Sequence, residues 1–150
     1  MNDAVNAGPV WVVFTGHADL WWLKWLRPGF RHCYMLFRDR WQWVSIDPLS
    51  HYTQVEFHAH VHRDFDLPAW LRGQGMTVVQ TTLAAPPRRC APLMPFTCVE
   101  AVKRFLGIHR RLIITPWQLH HYLTQKGSNN GIAKNARQSA KNSSIHTCAG

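Results

Sequence analysis

The chain has 150 residues, is 46% hydrophobic and carries a formal charge of +9. That length and apolar share suit one folded domain with a real core, and they exclude a chain too polar to bury one. The longest apolar stretch near the start, Leu20 to Leu26, is too short to span a bilayer and contains Lys24, so no integral membrane segment is expected.

Met1-Asn2-Asp3-Ala4 is not the basic start of a secretory signal, which points to a cytoplasmic protein. Cys33, Cys90, Cys98 and Cys148 form no CxxC pair and no disulfide framework, so they read as free thiols in a reducing compartment. Glu100 is the last acid in the chain. Lys103, Arg104, Arg110, Arg111, Lys126, Lys134, Arg137 and Lys141 all follow it. This bias favours an anionic partner such as cell-wall polymer, lipid headgroup or nucleic acid, and it equally serves solubility.

Val10 to Phe14 reads as a buried strand stopped by Gly16. Asp19 is positioned to cap a short amphipathic helix through Leu26, broken by Pro28-Gly29. Arg31 to Phe37 and Trp41 to Asp47 form two strands about a tight Asp39-Arg40 turn. Thr53 to His62 alternates Val55, Phe57, Ala59 and Val61 with Glu56, His58, His60 and His62, the pattern of a half-buried strand. Asp66 and Pro68 open a short helix to Gly73. Met76 to Leu83 is a further strand, followed by a proline-rich loop to Pro95.

Thr97-Cys98-Val99-Glu100 is a capping box, with Val99, Val102, Phe105 and Leu106 at helical spacing and Gly107 at the end. Thr115-Pro116-Trp117-Gln118 is a second box opening a last helix that ends by Gly127. Residues 1–126 then form one domain, and 127–150, with little to bury, a disordered basic tail.

The first box places Cys98 at the first helical position. Unpaired backbone N–H groups and the helix dipole there lower a thiol pKa and offer donors to an oxyanion. A cysteine at a helix start is more often mere packing, so the reading needs a base. With a two-residue turn at Asp39-Arg40, Leu36 pairs with Trp43, Tyr34 with Ser45 and His32 with Asp47. Paired residues share a sheet face with Cβ atoms about 4.5–5.5 Å apart. His32 is then the base for Cys98, and Asp47 its orienting partner, with Ser45 as the substitute. Cys33 points to the opposite face and is excluded from the site. Several of the eight tryptophans, chiefly in Leu20 to Trp43, are candidates for lining a substrate cleft, although core packing accounts for most.

The order of these parts resembles the circularly permuted papain-like enzymes, which include permuted NlpC-type peptidases and the lecithin retinol acyltransferase relatives. A histidine lies on the strand Gly29-Phe30-Arg31-His32-Cys33-Tyr34-Met35-Leu36. A strand with a polar residue follows, and a cysteine opens the helix of Pro95-Phe96-Thr97-Cys98-Val99-Glu100. The resemblance covers roughly Val10 to Leu106. Cys33-Tyr34 stand where the family has small residues. The resemblance implies an α+β fold, a small antiparallel sheet packed against the cysteine helix. It also implies hydrolysis or transfer at an amide, ester or thioester through an acyl-cysteine, without a cofactor. The substrate would be a peptide or acyl compound, with cell-wall peptides first and acyl lipids second.

His58, His60 and His62 on one strand face offer imidazoles to a metal, but a straight strand closes a tetrahedral site poorly, so no metal is assigned. The alternative to an enzyme is a structural protein of the same fold, or one binding nucleic acid or another anionic polymer, with Cys98 merely packed.

Overall fold

A computed structural model describes residues 8–17, 24–49, 51–83 and 95–128. The helix expected from Asp19 falls mostly outside them. So do Cys90, Cys148 and the basic segment from 129 onward.

The described residues form an α+β fold with a five-stranded antiparallel sheet. The strands are β1 (Pro9–Thr15), β2 (His32–Arg38), β3 (Trp43–Pro48), β4 (Thr53–His58) and β5 (Thr77–Thr82), in the spatial order β4-β3-β2-β1-β5. Three helices accompany it: α1 (Leu67–Gly73), α2 (Cys98–Phe105) and α3 over 116–128. No helix among the described residues is long and apolar enough to cross a membrane.

The continuous apolar run of β1 follows from its position inside the sheet, buried on both faces. Val10, Val12 and Phe14 join Cys33 and Met35 of β2 against Val99, Val102 and Leu106 of α2 and its following turn, and against Leu119 and Leu123 of α3. Trp11 and Val13 face the other way, with Leu36, Trp43 and Val78, against Leu67 and Leu71 of α1. Strand alternation thus sorts one sequence run into two cores. Each fully buried Val or Leu on α2 contributes about 1.5–3 kcal/mol of burial, enough to seat a helix of two turns that could not stand alone.

The β2–β3 register differs from the expected one. Leu36 pairs with Ser45, Phe37 with Val44 and Arg38 with Trp43. Asp39 N–H donates to the Gln42 carbonyl at 2.9 Å, so the connection spans 39–42 and not two residues. Neither Asp39 nor Arg40 is a glycine or asparagine suited to the φ > 0 of a two-residue turn, and the chain takes the wider one. The slip is two residues, so every side chain keeps its expected face.

β4 also departs from expectation. It ends at His58, and 59–60 form a turn, so His58, His60 and His62 do not share a strand face. β4 is the sheet edge, and its apolar Val55 and Phe57 are 51% and 61% exposed. Alternation fixed the strand but could not say whether another element covers it.

α1 is capped as expected, with Asp66 Oδ1 accepting from Ala69 N–H at 2.9 Å and Pro68 in its first turn. The box at α3 closes reciprocally: Gln118 N–H donates to Thr115 Oγ1 at 3.3 Å, and Thr115 N–H donates to Gln118 Oε1 at 3.0 Å. α3 continues through residue 128, beyond the expected end by Gly127. The box at α2 is only half made. Thr97 Oγ1 accepts from Glu100 N–H at 3.2 Å, but the Glu100 carboxylate turns instead to Lys103 Nζ at 2.7 Å and Arg104 Nε at 2.9 Å.

That detour builds a buried ion pair, since Glu100 and Lys103 are 4% and 3% exposed. Lys103 Nζ also donates to the Ile113 carbonyl at 3.1 Å, tying α2 to the segment that leads into α3. Burial acts to raise the Glu100 pKa, but hydrogen bonds from Lys103 and Arg104 and their charges hold it below the usual carboxylate value. Removing one member of such a pair leaves the other charge buried and uncompensated. Glu100→Gln is therefore expected to cost about 3–5 kcal/mol in urea unfolding. The double replacement Glu100→Leu/Lys103→Met should recover most of that loss, and a single variant as stable as the parent would contradict the reading.

Candidate active site

His32 is the first residue of β2, and Asp47 lies near the end of β3. Continued one step beyond its last pair, Met35 with Ile46, the observed register sets Asp47 across from Tyr34 and so diagonal to His32 on one face. The diagonal is short enough: His32 Nε2 lies 2.6 Å from Asp47 Oδ1. The expected partnership survives a wrong register because the error was an even number of residues.

Cys98 opens α2 and packs against the β1–β2 core from the opposite side of the sheet. His32 nevertheless meets it. At the first position of a strand the ring lies at the end of the sheet, where it touches Asp47 on one side and interacts with the Cys98 sulfur on the other. With Nε2 held by the carboxylate, Nδ1 is the ring nitrogen left to face the thiolate. The side chains of His32 and Asp47 are 16% and 32% exposed, so the pair is shielded but not sealed.

Cys33 is a site member that strand alternation had excluded. It points to the face opposite His32, as expected, but that face, and not His32's, is the one α2 and the Cys98 sulfur pack on. Cys98 packs against the buried cluster that contains Cys33, and the Cys33 thiol and backbone N–H favour its thiolate. The error lay in assigning Cys98 to His32's face, when His32 reaches it around the sheet end. The sequence signal was present: Cys33 shares alternation with Met35, which belongs under the cysteine helix.

The electrostatics follow from these contacts. The Cys33 hydrogen bond is the largest influence on Cys98. Burial opposes it, and the His32 hydrogen bond and charge reinforce it, bringing the Cys98 pKa down to about 5. Burial pushes His32 down, but hydrogen bonds to Asp47 and Cys98, with the charges of both, raise its pKa to about 9. The Cys33 thiol is pushed well up by its bond to Cys98 and by complete burial, so it remains the proton donor of the two. Burial and the Asp47 charge raise Tyr34 to about 12, leaving a neutral phenol beside the carboxylate. Between pH 5 and 9 the site is thus a Cys98 thiolate paired with a His32 imidazolium.

Ser45, the substitute orienting group, is engaged elsewhere, with its Oγ 2.9 Å from His58 Nε2. That contact lies on the wall of a cleft of about 540 Å³ between the sheet and α1. Tyr34, Asp47, Glu56, His58, Phe65 and Trp70 are among its lining residues. Asp47 belongs to both cleft and site, whereas Cys98 and His32 do not line the cleft. Of the tryptophans expected to line a cleft between Leu20 and Trp43, Trp21 and Trp22 lie outside the described residues; Trp43 is buried against Trp11 with ring centroids 5.2 Å apart, and Trp25 and Trp41, 85% and 77% exposed, do not line this cleft. Among the described residues no group of three or more side chains is placed to hold a metal.

Comparison of the chain with family profiles, curated proteins and solved structures gives no match.

The ion pair has a pH signature. Cys98 alkylation by iodoacetamide should rise through a limb near pH 5 in the parent protein. Asp47→Asn removes the anion that favours the imidazolium, so the His32 pKa falls and thiolate formation becomes harder. The alkylation limb should move to higher pH, and the His32 ring, followed by NMR, should lose its proton at lower pH, narrowing the ion-pair window from both ends. The limbs report the coupled pair and not either residue alone. An identical profile in Asp47→Asn would remove Asp47 from the site.

Proposed function

We propose that the protein is a cysteine hydrolase or acyl-transfer enzyme acting on an amide, ester or thioester, with a permuted papain-like arrangement. The observation that carries this reading is the His32 ring set between Asp47, at 2.6 Å, and the Cys98 sulfur at a helix start. The order of histidine strand, polar strand and cysteine helix along the chain supports it.

The Cys98 thiolate attacks the substrate carbonyl carbon, and the carbonyl oxygen takes up the negative charge. The Cys98 backbone N–H, at the positive end of α2, is the donor for that oxyanion. As the tetrahedral intermediate collapses, the His32 imidazolium gives its proton to the leaving amine, alcohol or thiol, and an acyl-cysteine remains. A water or acceptor nucleophile then enters. His32, now neutral, takes its proton, the carbon–sulfur bond breaks, and Cys98 leaves as the thiolate beside a restored imidazolium. Asp47 holds the ring and favours its charged form through both halves, without touching substrate. A peptide, cell-wall peptide first, or an acyl lipid fits this chemistry.

The test pairs trapping with turnover. An activated acyl ester should leave one acyl adduct on the intact parent protein, on Cys98, and none on Cys98→Ala, which should fold normally because alanine suits the first helical turn. Asp47→Asn should lower kcat by roughly 10²-fold or more while leaving KM nearly unchanged. Equal adducts on parent and Cys98→Ala would remove Cys98 as the nucleophile.

A further inference from the structure

The proposed hydrolytic cycle consumes no thiol but Cys98, yet a second one lies against it. Cys33 is completely buried on the central strand β2, within the cluster on which the Cys98 helix rests. Cys98 packs against that same cluster, and the Cys33 thiol beside its sulfur favours the thiolate. The two differ in access, since Cys33 is 0% exposed and Cys98 is partly exposed. An oxidant arriving from solvent therefore meets Cys98 first, and Cys33 waits behind it.

We propose that Cys33 and Cys98 form a reversible oxidation site, in which a hydroperoxide converts the nucleophile into an intrachain Cys33–Cys98 disulfide. This rests on the reactive Cys98 of the proposed function and adds a second, redox chemistry to the same sulfur.

The steps balance. The Cys98 thiolate attacks the outer oxygen of the hydroperoxide, the O–O bond breaks, and the alkoxide or hydroxide leaves with a proton from the imidazolium. Cys98 is now a sulfenic acid, oxidised by two electrons. The Cys33 sulfur attacks the Cys98 sulfur, an S–S bond forms, and hydroxide departs with the Cys33 proton as water. Two thiols have supplied two electrons to one peroxide bond. A dithiol reductant reverses the change by thiol–disulfide exchange.

Physical properties of the pair favour this course over irreversible damage. A thiolate is the form that peroxides oxidise, and the site holds Cys98 as a thiolate. The sulfenic acid is formed in contact with a thiol, so condensation competes with a second oxidation. Closure requires the two sulfurs to approach to about 2.05 Å. Cys98 stands on the first turn of α2, a helix held by side-chain packing and not by a covalent link. While the disulfide lasts, Cys98 cannot attack a carbonyl.

The experiment uses the full chain carrying Cys90→Ser and Cys148→Ser, so that Cys33 and Cys98 are the only thiols. Hydrogen peroxide is added at equimolar concentration, remaining thiols are blocked, and the protein is mapped by mass spectrometry without reduction. A Cys33–Cys98 crosslinked peptide is expected, with intact mass lower by about 2 Da than the reduced chain. Iodoacetamide labelling of Cys98 should be lost and should return with dithiothreitol. In Cys33→Ala and Cys33→Val, chosen to span the buried volume and given at least two equivalents of peroxide, Cys98 should instead gain about 32 Da as sulfinic acid, and labelling should not return.

The inference is overturned if Cys98 of the parent protein passes to sulfinic acid without the crosslink, or if disulfides form only between molecules. The parent measurement alone decides this, whether or not the Cys33 variants fold. Failure here is separable from failure of the proposed function. If iodoacetamide labels Cys98 rapidly but no crosslink forms, only the redox site falls. If Cys98 resists both reagents, the thiolate reading falls with it.

Discussion

The seating of α2 on the β1–β2 face is the constraint from which the candidate site follows. Val99, Val102 and Leu106 fill the space over Val12, Phe14 and Met35, and this fixes where the helix begins. The Thr97 cap ends the preceding segment one residue before Cys98. The sulfur is thereby set at the edge of a packed core, over Cys33 and within reach of the ring at the start of β2. The buried Glu100–Lys103 pair, through the Ile113 carbonyl, joins the same helix to the chain entering α3. The aromatic contacts of α3 also bear on this end of the sheet, where Phe14 and Phe30 both pack against His120. Position comes from apolar packing, and the chemistry borrows it.

Charge at the site is a matter of three neighbours acting in one direction. A buried thiol alone has a raised pKa and a buried imidazole a lowered one. Here each ionised group is the other's partner, so desolvation is outweighed for both. Asp47 favours the imidazolium from one side of the sheet, and Cys33 favours the thiolate from the other. The strand end is what allows this: further along β2, His32 would face one side only.

Much of this arrangement can be read in the residues, and the exceptions have physical causes. The cap at Thr97, the apolar spacing of α2 and the cap at Asp66 depend on neighbours within one helical turn, so local pattern was enough. The His32–Asp47 partnership depends on face and not on exact register, and it outlasted the mistaken turn at Asp39-Arg40. Cys33 was missed because alternation describes the middle of a strand and not its end. The exposure of Val55 and Phe57 was missed because a period of two is the same whether or not something covers the strand. The divergence of His58, His60 and His62 turns on where β4 stops, and no glycine or proline marks that point.

A direct view of both protons would test the central claim most sharply. The His32 ring can be followed by NMR across pH while the thiolate of Cys98 is followed by its ultraviolet absorbance, with Cys98→Ala as the blank. A charged ring that persists until about pH 9, beside a thiolate that is already present above about pH 5, is the predicted result. A neutral His32 ring and a protonated Cys98 thiol at pH 7 would contradict it.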